Sequence, residues 1–173
     1  MSDVSSDPKL VRELMTVGVL TCPPDTPIPE AARLLLSNNL EAIVVLDVEG
    51  HAVGMISRDE LIQSYAKGDY KSLTAEEVMR ADVPQLPPEI PLNAAAQIMQ
   101  DQKLRVVFLM HQAGGIEYPA AVLSYQHLLR HMAMQDDDDL SDLGISAERQ
   151  SPEESYLQRR EAARRKNISS KHS

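Results

Sequence analysis

Apolar residues recur along this chain at two spacings, and the spacings alternate. Ile28, Ala31, Ala32, Leu35 and Leu36 fall at i, i+3, i+4, i+7 and i+8, one face of an α-helix, with Thr26 placed to cap it and Pro27 in its first turn. The run "AIVVL" that follows is continuously aliphatic and too short for a helix, which predicts a buried strand. "EG" supplies a turn, and "AVGMIS" predicts a second buried strand entering the polar-sided helix "RDELIQSYA". With a short strand ahead of the first helix, the unit reads strand, helix, strand, strand, helix.

The same unit occurs again. Displaced by 64 residues, "VRELMTVGVLTCPPDTPIPEAARLLLSNNLEAIVVL" aligns without a gap on "AEEVMRADVPQLPPEIPLNAAAQIMQDQKLRVVFLM". Met15 falls on Met79, Pro23 and Pro24 on Pro87 and Pro88, Pro27 on Pro91, and Leu40 on Leu104. Beyond this block the displacement becomes 67, because "HQAGGIEYP" is three residues longer than "DVEGHA"; such insertions belong on surface connections. Agreement of this kind marks a structural repeat, and neither half is large enough to cover both faces of its own sheet, so the halves are expected to pack together.

From about residue 135 the pattern stops. Asp136 to Glu154 holds eight acidic residues against Arg149, and Arg159 to Lys171 holds six bases against Glu161. Asp136 to Asp139 are expected to keep a solvated linker extended. "SPEESYLQRREAARRKN" then opens like a helix, with Ser151 as N-cap, Pro152 in the first position and Glu154 completing a capping box. The chain therefore divides into 8–68, 69–134 and a tail from 135 to 173, and residues 1 to 134 are expected to fold without that tail.

Composition narrows the function. Of 173 residues 43% are hydrophobic, yet there is no Trp and one Phe, so the core is aliphatic and offers no aromatic platforms for stacking bases. A formal net charge of −9 opposes a nucleic-acid partner. No apolar run is long enough for a membrane helix and the start lacks a secretory pattern, so no membrane partner and a cytoplasmic location are expected. Cys22 is alone and reads as a buried structural thiol. No nucleophile, Walker or dinucleotide pattern appears, which argues against an enzyme.

The strand-turn-helix "GMISRDEL", with Ser57 at the turn and Glu60 three residues on, is matched by "AVLSYQHL", with Ser124 and His127. A serine at a helix start sits where free amides favour an anion, and a carboxylate one turn into the helix can accept both hydroxyls of a ribose. These turns, the "VRELM" and "AEEVM" lead-ins and the "PPDTPIPEAARLL" segment resemble the CBS domain, and the tandem resembles the paired CBS (Bateman) module. The resemblance covers residues ~8 to 134.

The resemblance implies an α/β (α+β) fold of two βαββα repeats packed about a pseudo-twofold axis. It further implies a non-catalytic regulatory module that binds an adenosine-containing ligand between the repeats. AMP, ADP or ATP lead, with S-adenosylmethionine or NAD behind. Carried onto this chain, the first site would comprise Ser57, Arg58 and Glu60 with cover from Thr21, Cys22, Pro23, Ile43 and Val44. The second would comprise Ser124, His127 and Arg130 with cover from Leu86, Pro87, Val107 and Phe108. Glu60 is one methylene longer than the family's usual Asp, and His127 cannot mimic a carboxylate, so the two sites are expected to be unequal. Arg105 is a further phosphate candidate, and His127 with His131 forms an i, i+4 pair that a metal could use. A homodimer through the helices containing "LIQSYA" and "LLRHMAM", and an unidentified protein partner, complete the expectation. The alternative is a ligand-free interaction module acting through dimerisation and its tail.

Overall fold

The computed structural model describes residues 7–134. The acidic linker, the helix expected from Ser151, and the tail's role lie outside the described residues.

Both units have the order the periodicity predicts. In the first, β2 (Thr21–Cys22) precedes α2 (Ile28–Ser37), β3 (Ala42–Leu46), β4 (Ala52–Ser57) and α3 (Arg58–Lys67). In the second, Gln85 forms a parallel bridge to Phe108 in place of a full strand, followed by α5 (Leu92–Asp101), β5 (Val106–Ala113), β6 (Ile116–Ser124) and α6 (Tyr125–Ala133). The longer second hairpin comes from the three added residues, which extend β5 and β6 outward.

One helix boundary and one burial differ from the sequence reading. Pro27, not Thr26, is the N-cap of α2, and the Thr26 hydroxyl instead donates to Pro23 O at 2.8 Å. The buried Thr26 carbonyl accepts from Ala75 N at 2.8 Å, which stitches the helix start to the next unit. Ile28, Ala31 and Leu35 are buried as expected, but Leu36 is 73% exposed, so the buried stripe is narrower than the apolar one.

The sequence pattern does not reveal an exchange of lead-ins. Helix α1 (Val11–Leu14) and strand β1 (Thr16–Val17) precede the first unit yet join the second: Thr16 pairs with Val122 on β6, and Val11 and Leu14 pack with Leu92, Met99 and Leu123. Reciprocally, α4 (Ala75–Val78) packs Ala75 on the first unit, and Arg80 bridges to Met55 on β4. Each sheet thus receives an edge from the other repeat. Between the sheets lies a third cluster, with Val44 and Met55 from one side and Val106 and Phe108 from the other. The exchange explains Gly54: a Cβ there would lie 2.6 Å from both Arg80 O and Met79 Sδ, so only glycine admits the incoming strand.

Candidate functional site

A shallow recess, about 380 Å³ when the space open to solvent is counted, lies between the repeats. Ser57, Arg58, Asp59 and Glu60 form one wall at the start of α3, with Glu41 and Met55 beside them; Lys103, Leu104, Arg105 and Val106 come from the opposite repeat, and Arg80 from its lead-in.

The strand-to-helix turn is held by a capping box. Glu60 Oε2 accepts from Ser57 N at 2.8 Å and from the Ser57 hydroxyl, while Ser57 Oγ accepts from Asp59 N at 3.2 Å. The extra methylene of Glu60 is what lets its carboxylate fold back this far. Both bonds use Oε2, so among the described residues Oε1 has no hydrogen-bond partner, and Glu60 is part of the recess lining. Arg58 donates to Leu40 O at 3.1 Å and stands 3.8 Å from Glu41. Arg80 makes two bonds to Asp82, at 3.0 and 2.7 Å, which lower the Asp82 carboxyl and raise the guanidinium from their ordinary values.

The pseudo-symmetric turn is closed differently. Ser124 N donates to His127 Nδ1 at 3.0 Å, and the Ser124 hydroxyl lies 2.8 Å from the same nitrogen. A backbone N–H can only donate, so Nδ1 is the bare nitrogen and Nε2 carries the hydrogen, directed at Thr16 Oγ1 2.6 Å away on β1. Burial, with Arg130 acting in the same direction, pushes His127 down to about 4. The imidazole is therefore a neutral cap that also fastens the exchanged lead-in. Across this cleft Gln126 lies against Asn39, and with the Gln126 amide assigned in the orientation that satisfies both groups its oxygen accepts from Asn39 Nδ2 at 2.7 Å and from Arg130 at 3.1 Å. With both His127 nitrogens engaged, the His127–His131 pair lacks a free donor on one side.

Of the residues expected at the first site, Ser57, Arg58 and Glu60 line the recess together. Thr21, Cys22, Pro23, Ile43 and Val44 do not line it. Ile43 and Val44 are fully buried in two different core clusters, Cys22 is buried beside them with burial pushing its thiol up, and Pro23 is exposed. In the second unit Ser124, His127 and Arg130 gather at the bridged cleft, while Leu86, Val107 and Phe108 are core. Arg105, named as a further phosphate candidate, lines the first recess. Asp59, Arg80 and Lys103 were missed; the exchanged lead-in and the crossing of repeats put Arg80 and Lys103 beside a turn far away in sequence.

An internally duplicated α/β pair with exchanged edges and a cleft open on one side defines a tandem repeat module. The chain belongs to the CBS domain family, which it matches twice, over residues 11–67 and 75–133. The CBS domain-containing protein YhcV of Bacillus subtilis is 31% identical over 103 residues, 59% of this chain and 73% of that protein. The uncharacterized protein MJ1426 of Methanocaldococcus jannaschii is 39% identical over 54 residues, and the match spans 31% of this chain and 32% of that relative. Among solved structures, ATU1752 from Agrobacterium tumefaciens superposes with a TM-score of 0.65 at 20% identity, covering 76% of this chain and 99% of that one. The CBS domain pair of protein MJ0100, in complex with 5′-methylthioadenosine and S-adenosyl-L-methionine, gives 0.63 at 21% identity over 72% and 96%. No helix among the described residues is long and apolar enough to cross a membrane.

Proposed function

We propose that this chain is a non-catalytic regulatory module that binds one adenine nucleotide in the first-repeat recess and passes its occupancy to a partner protein. The carrying observation is the inequality of the two turns and clefts: Gln126 lies against Asn39 across one, whose turn is capped by neutral His127, while the other is a recess lined by Ser57 and by Glu60, whose carboxylate keeps one oxygen outside the cap. The related pair in MJ0100 holds adenosine-containing ligands, which supports that class here. A thermal-shift series with AMP, ADP, ATP, NAD and S-adenosylmethionine tests it, since a ligand at 100 times its dissociation constant adds ~2.7 kcal/mol. Glu60→Ala is expected to weaken nucleotide binding about 10- to 150-fold, the loss of charge-assisted bonds to ribose, while His127→Ala changes it little. Equal losses from the two substitutions, or two equivalent sites per chain, would contradict the asymmetry. Silence across the series favours the ligand-free interaction module, for which the self-satisfied Ser57–Glu60 pair already speaks.

The module is further proposed to act as a homodimer. Ile62 and Tyr65 on α3 are 67% and 66% exposed, and their repeat equivalents Leu129 and Met132 on α6 are 62% and 77% exposed. These are four apolar side chains at matched positions of the two repeats, one pair on each helix, which suits an isologous contact made through both helices. Light scattering at micromolar concentration is expected to give twice the 19.2 kDa chain mass; the monomer mass would refute this.

A further inference from the structure

We propose that Lys103 and Arg105 read the charge of the ligand's tail, so that the first-repeat recess selects a nucleoside polyphosphate and rejects a cationic sulfonium nucleoside. This rests on the reading above that an adenosine-containing ligand occupies the recess, and adds which of its charge classes this chain accepts.

Four cations, Arg58, Arg80, Lys103 and Arg105, line the recess of a chain whose net charge is −9. Two are committed: Arg58 to Leu40 O and Glu41, and Arg80 to both oxygens of Asp82. Lys103 and Arg105, from the opposite repeat, have no side-chain partner among the described residues. Of the three carboxylates in the lining, Glu41 stands against Arg58, Glu60 spends one of its two oxygens on its own helix cap, and Asp59 makes no ion pair among the described residues, so the four cations outnumber the three anions.

The backbone adds an independent observation. Lys103 has φ +56°, a left-handed conformation, and its repeat equivalent Asn39 has φ +50°. Asparagine tolerates this region and lysine does so less well. In the second cleft Asn39 bonds Gln126 and ties the walls together. At the same two positions the first cleft carries Lys103 and Asp59, opposite charges that form no ion pair, so nothing there ties the walls together and the Lys103 ammonium is left in the lining. A compact ammonium and a forked guanidinium on one wall suit successive phosphates, and they repel a sulfonium centre placed at the same distance from the nucleoside.

Titration calorimetry on the full chain at one fixed salt concentration tests this with ATP, ADP, AMP, adenosine, S-adenosylmethionine and inorganic tripolyphosphate. Affinity is expected to fall in the order ATP, ADP, AMP, adenosine, with S-adenosylmethionine below adenosine. Lys103→Asn restores the residue found at position 39 and so suits the left-handed backbone; its melting temperature serves as the folding control. Lys103→Asn and Arg105→Gln are each expected to weaken ATP about tenfold or more, the loss of one charge-assisted contact, while leaving adenosine unchanged. Adenosine or S-adenosylmethionine binding as tightly as ATP, or wild-type ATP affinity in both variants, overturns the proposal while the adenosine reading survives. Tripolyphosphate binding that both variants weaken, without heat from any nucleoside, keeps the phosphate site and overturns the adenosine reading. No heat from any of the six compounds overturns both.

Discussion

Phe108→Ala is expected to cost about 3–5 kcal/mol of stability, the range for emptying a buried phenylalanine site. Phe108 is the chain's one phenylalanine and is fully buried between the two sheets against Val44, Met55 and Val106. Strand pairing with Val122 fixes its backbone, whose N–H donates to Pro84 O at 2.8 Å, so neighbouring strands cannot easily slide into the void. The repeat equivalent Val44 faces the same cluster from the other sheet, and Val44→Ala should cost less because fewer methylenes are removed. A domain of this size holds about 5–15 kcal/mol, so the phenylalanine variant is left marginal. Urea melts of the two variants decide it: a midpoint shift for Phe108→Ala no larger than for Val44→Ala would mean the inter-sheet layer is not where the structure places it.

The second large effect is acid sensitivity. His127 has its folded value lowered to about 4 by burial and by Arg130, against an ordinary 6.5. A histidine depressed in this way contributes stability that is fully present above pH 6.5 and is lost as pH falls toward 4, because the unfolded chain takes up the proton first. The full difference corresponds to about 3 kcal/mol. Protonation of Nδ1 would also set it against Ser124 N–H, losing the α6 cap and weakening the hold on Thr16. Carboxylates titrate over the same range, so the diagnostic quantity is the difference from His127→Gln, whose amide can accept from Ser124 N–H without titrating. Stability measured from pH 7 to 4.5 should fall more steeply for the unsubstituted protein; parallel curves would show that His127 titrates normally.

The duplicated architecture was legible because its signals are local. The shift from helical to strand spacing, the paired prolines before α2 and α5, and the Ser57 and Ser124 turns lie within a few residues of the elements they specify. The inequality of the turns was legible as well, since Glu60 and His127 occupy one aligned position. The destinations of the lead-ins were not. "VRELM" carries no mark that Val11 will pack on Leu92 and Met99 rather than on its own helix, because both repeats present nearly the same apolar surface. For the same reason the recess was only half visible: Ser57 and Glu60 announce themselves by spacing and Arg105 by its charge, whereas Arg80 and Lys103 reach it through a contact between repeats. Ile43 and Val44, which the family resemblance carried over as ligand cover, belong to an aliphatic run that serves two cores at once.

The exchange of lead-ins also fixes an order of events during synthesis. Thr16 cannot pair until Val122 has been made, a separation of roughly 100 residues. A ribosome adding about 5–20 residues per second leaves the newborn N-terminal segment waiting roughly 5–20 s for its strand partner. Throughout that interval β4 already has Gly54 open to an arriving strand, and Met79 and Arg80 can fill it as soon as they emerge. The first sheet therefore closes early and the second last, with β1 as the final clasp. Termination upstream of β6 would leave Thr16 and Val17 without their strand partners and Val11 and Leu14 without Leu123, a product for chaperones and proteases to recognise.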